Sequence, residues 1–418
     1  MTGAPDSAGA LAGFTVLDLT QGLCGPYASM RLADAGADVI KVEPPEVGDC
    51  ARALPPFVEP GPERAGPDGG GGESAIFLAL NRNKRSVAVD LDTHTGRYLV
   101  RRLAADADVV LEDLGPGRAE KLGLGHNRLK ADNPDLITCS ISAWGEQGPM
   151  RDLPGAELVV QAMAEYTRSL GHIGEAPIRL GADVANLNTA IFASQAVTAA
   201  LFHRLRTGKG QRVAVSMLRV LLHMRGIMWA ARSDPDFWGG FHLDHYVNPP
   251  EHGYEAADGR LFFGLRRASS EDFDRLMIDL GLVDHIADDR FGNFGRDAAP
   301  LGRHVEEARE VWEEAFRQRS VEELRTLIQS AGGDAVGFND YPSLFEHPQI
   351  RALEVTAEIE HPTLGPVRTL RPVARLDASP ATIRSPPPLL GQHTDEVLDA
   401  IGVDAAERAA LRAASVIA

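Results

Sequence analysis

The sequence predicts an α/β protein, a doubly wound parallel-sheet domain followed by a smaller α/β domain. Three observations carry this. Short β-branched runs alternate with helical stretches through the first half; 418 residues with 44% apolar content can bury more than one core; and the character of the chain changes near residue 234.

The first unit is read directly. "FTVLDLT" at 14–20 is a strand, "YASMRLADAGA" has helical spacing and ends in glycine, and "DVIKVEP" at 38–44 is a second strand, which together make a βαβ unit. The pattern repeats with "SVAVDL", a helix through "GRYLVRRLAADA", and the strands "DVVLEDL" and "DLITCSIS". Parallel strands with helices on both faces are therefore expected. Between them, the Gly/Pro-rich run at 59–74 cannot pack, and Gly69 to Gly72 reads as a surface loop.

Two helices are predicted next, from Glu157 to about residue 170 and from Val184 to about Arg206, the second closed by "TGKGQ". The segment "GADVANLNTA" at 181–190 opens the second and sets an acid at Asp183 and an amide at Asn186. Beyond 234 the chain is aromatic, His-rich and turn-rich, then "GRLFFGL" and amphipathic helices follow, and "SPPPLLGQHTDEVL" leads into a terminal helix. The expected boundaries are 1–230 for the large domain, 231–340 for the small one, and 341–418 for a segment returning to the large domain.

Charge and composition exclude several classes. With 42 Lys and Arg against 59 Asp and Glu, a net charge of −17, no basic stripe is available for nucleic acid. The longest apolar runs are interrupted by Arg and His and fall short of the roughly 20 residues of a membrane span. The first residues lack a basic start and an apolar block, so the cytoplasm is the expected compartment. Cys24, Cys50 and Cys139 form no CxxC pair, and Cys24 reads as a packing residue. His242 and His245, with Asp244, Glu251 and His252, lack an i, i+4 helical placement and read as solvated loop residues, so no metal is expected.

Five segments, in order, carry a resemblance: "GFTVLDLTQGLCGPYASMRLADAGADVIKVEPPEVGD", "LNRNKRSVAVDL", "LGPGRAEKLGLG", "RTGKGQRVAVSM" and "PPPLLGQHTDEVL". They resemble the family III CoA-transferases, the group that contains formyl-CoA transferase, carnitine CoA-transferase and α-methylacyl-CoA racemase. The resemblance implies a Rossmann-like large domain, a smaller domain, and two chains linked like rings. It implies coenzyme A or an acyl-CoA as substrate, with Gly22, Leu23, Cys24, Gly25 and Pro26 against it. Lys41, Arg82, Asn83, Lys84, Arg85 and Lys121 fall at the family's CoA-contact regions. On an acidic chain "NRNKRS" concentrates guanidinium forks suited to phosphate, the alternative being a solvated basic strand end.

In the family's transferases an aspartate in a "GDxNTG" segment attacks the acyl-CoA thioester, and an aspartyl-CoA thioester follows. Laid over that segment, "ANLNTA" puts Asn186 at the nucleophile position, and an amide cannot form that thioester. The racemase pair is missing too, with Ala156 in place of a histidine and Glu157 beside it. Two carboxylates stand near: Asp183, expected to cap the helix, and Glu157, expected to receive hydrogen bonds that shape the pocket. Three readings stay open. The chain is the non-catalytic subunit of a heteromer with a competent paralogue, as in benzylsuccinate CoA-transferase; or a self-sufficient homodimeric transferase using Asp183 or Glu157; or an acyl-CoA-binding protein without turnover. Phe237, Trp238, Phe241 and Tyr246, hinged at Gly239 and Gly240, are candidates for an acyl-pocket lid.

Overall fold

The structure, a computed structural model, describes residues 9–60, 72–167, 176–226, 253–265, 268–288, 291 and 305–418. The candidate lid at 237–246, the His242–His252 group and residues 69–71 lie outside them. Six strands form a parallel sheet: β1 (Thr15–Asp18), β2 (Asp38–Glu43), β3 (Lys84–Ala88), β4 (Val109–Glu112), β5 (Ile137–Ser142) and β6 (Arg212–Ser216). Their spatial order is β3-β2-β1-β4-β5-β6. This is the doubly wound order, which reverses direction between β1 and β4.

The inner strands β1, β2 and β4 are buried on both faces because each feeds two cores. Val16, Val39, Val109 and Leu111 pack with Ala28 and Leu32 of α1 (Cys24–Asp34) on one side. Leu17, Ile40 and Val110 pack on the other with Leu99 and Leu103 of α2 (His94–Ala105). Successive residues thus point to opposite faces, as the period of a strand requires. Leu398, Val403 and Ile417 of the C-terminal segment complete the second core.

Beyond the sheet lie α3 (Glu157–Met163), α4 (Val184–Thr207) and α5 (Met217–Met224). The expected long helix from Glu157 ends at Met163, and Glu165 then takes a left-handed φ of 65°, which no α-helix continues through. By contrast α4 runs 24 residues, its buried face built from Ala185, Thr189, Ala193, Val197 and Ala200, and stops at Gly208 with φ 70°.

Contacts divide the chain into two compact units. One comprises Met1–Glu165, Leu180–Gly226 and Glu354–Ala418; the other Tyr166–Arg179 and Ile227–Leu353. The second holds β7 (Tyr254–Glu255), β8 (Arg260–Gly264), α6 (Ser270–Leu280), α7 (Val305–Phe316), α8 (Val321–Ser330) and β9 (Asp334–Gly337), with antiparallel order β9-β8-β7. Its core is aromatic, Phe263 meeting Tyr254, Trp312 and Phe316 at centroid distances of 4.9, 5.2 and 5.3 Å.

One feature of the first unit is polar. Asp18, at the end of β1, accepts from Lys84 Nζ at 3.1 Å, Ser29 Oγ at 2.5 Å and the Thr20 amide at 3.0 Å. Lys41 of β2 pairs with Asp49 at 2.6 Å, and all four ionised side chains are fully buried. Burial works against the Asp18 charge, but Lys84, Lys41 and the hydroxyl donors hold its carboxyl well below the usual range. Its stabilising contribution is therefore present above the unfolded carboxylate pKa and is lost as pH falls through the folded value. Asp18→Ala leaves Lys84 buried and uncompensated, and is expected to cost about 3–5 kcal/mol, read as a lowered denaturant midpoint at pH 7.

Candidate functional site

In open α/β sheets ligands bind outside the carboxyl ends of the strands, where the order reverses. Here that point is the turn from Thr20 to Pro26 between β1 and α1. Gly22 adopts φ 79°, and a Cβ on Gly25 would lie 2.1 Å from the Thr20 Cβ, so the chain bends only with glycine at both positions. Its carbonyls are held from below: Lys41 Nζ donates to the Thr20 carbonyl at 2.9 Å and Lys84 Nζ to that of Pro26 at 2.8 Å. Its amides are held by carboxylates, Gly22 N–H donating to Asp49 at 2.7 Å and Gln21 N–H to Asp113 at 3.1 and 3.2 Å.

Burial, then the Asp113 charge, push the Cys24 thiol well up, so it is a packing group as expected. Leu23 is half-buried beside it.

The basic residues depart from the expectation of a phosphate grip or a solvated strand end. Arg82 forks onto Asp34 at 2.9 and 2.7 Å and also reaches the Leu370 carbonyl. Asn83, in a left-handed conformation, donates to Asp34 and the Thr382 carbonyl and accepts from the Arg384 and Ser385 amides. Lys84 is satisfied by Asp18, Pro26 and Asn81. With side-chain exposures of 0, 5 and 0%, Lys41, Arg82 and Lys84 present no charge to a phosphate; they hold the turn and the C-terminal segment. Strand alternation sends Arg85 outward, where it pairs with Asp38 and Glu396, and Lys121 is exposed at the end of a short helix.

The α3–α4 contact holds the other candidates together. Glu157, in the first turn of α3, takes four hydrogen bonds: Oε1 from Ala185 N–H and Gln161 Nε2, both at 2.7 Å, and Oε2 from Asn186 N–H and Asn186 Nδ2, both at 2.8 Å. A carboxylate from a neighbouring helix thus satisfies the first free amides of α4, where the helix dipole favours negative charge. Asp183 occupies the N-cap position but makes no side-chain cap bond, which corrects the expectation that it caps the helix. It is half-buried at the helix start, and no hydrogen bond or ion pair joins its carboxylate to another of the described residues. Asn186 is anchored by its own amide group to Glu157, and Gln161 donates to both Glu157 and the Ala182 carbonyl.

Sequence reasoning missed Asp49, Asp113 and Gln161. Their only sequence signal is position, since Asp113 directly follows β4 and Gln161 lies one helical turn after Glu157.

The chain as a whole is similar to known proteins. The family model described as CoA-transferase family III matches residues 11–394. A succinate–glutarate CoA-transferase of Agrobacterium fabrum is 35% identical over 406 residues, covering 95% of this chain and 97% of its own. Human succinyl-CoA:glutarate CoA-transferase is 30% identical, covering 93% and 85%. The crystal structure of a CAIB/BAIF family protein from Brucella suis superposes with a TM-score of 0.81 at 29% identity, covering 94% of this chain and all of that one.

The chain belongs to the family III CoA-transferases. Members of the family take CoA thioesters as substrates, and the relatives above are named for succinyl-CoA or succinate and glutarate.

Glu157→Gln is a test of the clamp. A glutamine turns one of two acceptor oxygens into a donor facing amide N–H groups. Amide exchange in the first turn of α4 is expected to accelerate roughly ten- to a hundredfold, equivalent to about 1–3 kcal/mol, read by hydrogen–deuterium exchange with mass spectrometry.

Proposed function

We propose that this chain is the CoA-binding, non-catalytic member of a CoA-transferase that moves CoA between an acyl-CoA, such as succinyl-CoA, and a carboxylic acid. The observation that carries the reading is Asn186, an amide at the family's nucleophile position, bound through both its backbone and side chain to Glu157. Covalent CoA transfer needs a carboxylate oxygen to attack the thioester carbonyl and expel CoA thiolate, giving a mixed anhydride, and then to receive that thiolate at its own carbonyl carbon as the donor acyl group leaves as a free carboxylate. Glu157 has both oxygens taken up, and the amide of Asn186 forms neither intermediate. A paralogous chain with aspartate at the matching position would supply the nucleophile.

The surface supports a partner chain. Leu158, Val159 and Met163 on α3 and Ile191, Phe202 and Leu205 on α4 are exposed large apolar side chains on the same helices that carry Glu157 and Asn186. The partner we assign is such a paralogue, or a second copy of this chain.

One observation favours a second reading. Asp183 makes no cap bond and lies about one helical turn before Asn186, so a self-sufficient transferase would use it.

Intact-protein mass spectrometry separates the two. The purified chain, incubated with succinyl-CoA and trapped with borohydride or hydroxylamine, is expected to show no adduct. Asn186→Asp is expected to gain one at residue 186, with a yield that rises with pH, because the new carboxylate lies against Glu157 and one of two such neighbours resists ionisation. An adduct on Asp183 of the natural chain, abolished by Asp183→Ala, would establish the second reading instead.

A further inference from the structure

The charges beneath the turn after β1 balance without Asp113. Lys41, Lys84 and Arg52 are matched by Asp18, Asp49 and Glu43 through close contacts: Lys84 to Asp18 at 3.1 Å, Lys41 to Asp49 at 2.6 Å and Arg52 to Glu43 at 2.7 Å. Asp113 is the carboxylate left over. It stands at the reversal of strand order with both oxygens on the Gln21 amide, the very turn against which CoA is expected to lie. Asp18 of β1, Lys41 of β2 and Asp49 after β2 face it, and its charge reaches Cys24 of α1 and Cys50.

We propose that Asp113 is a specificity-determining acid that must carry a proton for an acyl-CoA to occupy the turn after β1, so that binding is coupled to proton uptake. This rests on the CoA-binding reading above. Acyl-CoA is polyanionic, and an ionised Asp113 would add an unmatched negative charge beneath it. Below about pH 8, where Lys84 also keeps its charge, the protonated acid leaves the cluster neutral, keeps one oxygen for the Gln21 amide, and offers an O–H donor to a ligand carbonyl. Burial first, then the charges of Asp18 and Asp49, outweigh the Gln21 amide and Lys41 and push the Asp113 acid up to about 8. The sign follows: binding is favoured below that value and lost as pH rises through it.

The test is calorimetric titration of the full chain with a thioether analogue of succinyl-CoA, which has no thiol to titrate, between pH 7 and 9.5 in two buffers of different ionisation enthalpy. Affinity is expected to be level up to about pH 8 and then to fall tenfold per unit, with uptake of about one proton at pH 9. Asp113→Asn should bind with a flat profile. No pH slope and no proton uptake in the natural chain, or an unchanged slope in Asp113→Asn, overturns the proposal while leaving CoA binding intact. Absence of binding at every pH overturns the CoA-binding reading itself. Burial lowers the Lys84 ammonium of the same cluster to about 8 as well, so the slope belongs to Asp113 only where Asp113→Asn removes it; a folded Asp113→Asn that keeps the proton uptake assigns it to Lys84 and overturns the proposal.

Discussion

Two buried lysines hold the turn on which this site is built. Lys41 and Lys84 reach up from β2 and β3 and donate to the carbonyls of Thr20 and Pro26, while Asp18 and Asp49 neutralise them. Taking such charges out of water costs several kcal/mol per ion, so the arrangement persists only because nearly every donor and acceptor is matched. Lys84 illustrates this: its three donors meet a carboxylate, a carbonyl and an amide oxygen. Removing one member strands the others, which is why the turn, and the start of α1 beyond it, depends on all of them together.

The same logic recurs at the start of α4 with a different solution. There the free amides face Glu157 rather than a local cap, and Gln161 and Asn186 complete the carboxylate's hydrogen-bond shell. An aspartate at position 186 would meet that carboxylate as a like charge, whereas asparagine donates to it. Carboxylates thus occupy the backbone donors at both places, Asp49 and Asp113 at the first turn and Glu157 at the second.

Much of the sheet was legible because strand and helix periods are local. "FTVLDLT" and "DVIKVEP" became β1 and β2, and the helix opening at Val184 ends at Gly208 as its "TGKGQ" stop predicts. The helix from Glu157 was overextended because apolar spacing continues past Met163, while the left-handed turn at Glu165 is a backbone event without a glycine to announce it. Basic residues in "NRNKRS" looked like a grip for phosphate because sequence shows a cation but not its partner. Asp34, which takes Arg82, is 48 residues away, and Asp18, which takes Lys84, is 66 residues away.

By itself the sequence determined the α/β alternation and the family, and it placed an amide at position 186, since each is a property of residues close together or of a fixed order of short segments. Only the tertiary structure decided that Glu157 serves as the cap of α4, that Asp183 makes no cap bond, that Lys41 and Lys84 face inward, and that Asp113 meets Gln21 across 92 residues of chain. The physical reason is that a charge acquires its role from burial and from the partner it finds. Both are set when strands distant in sequence are laid side by side.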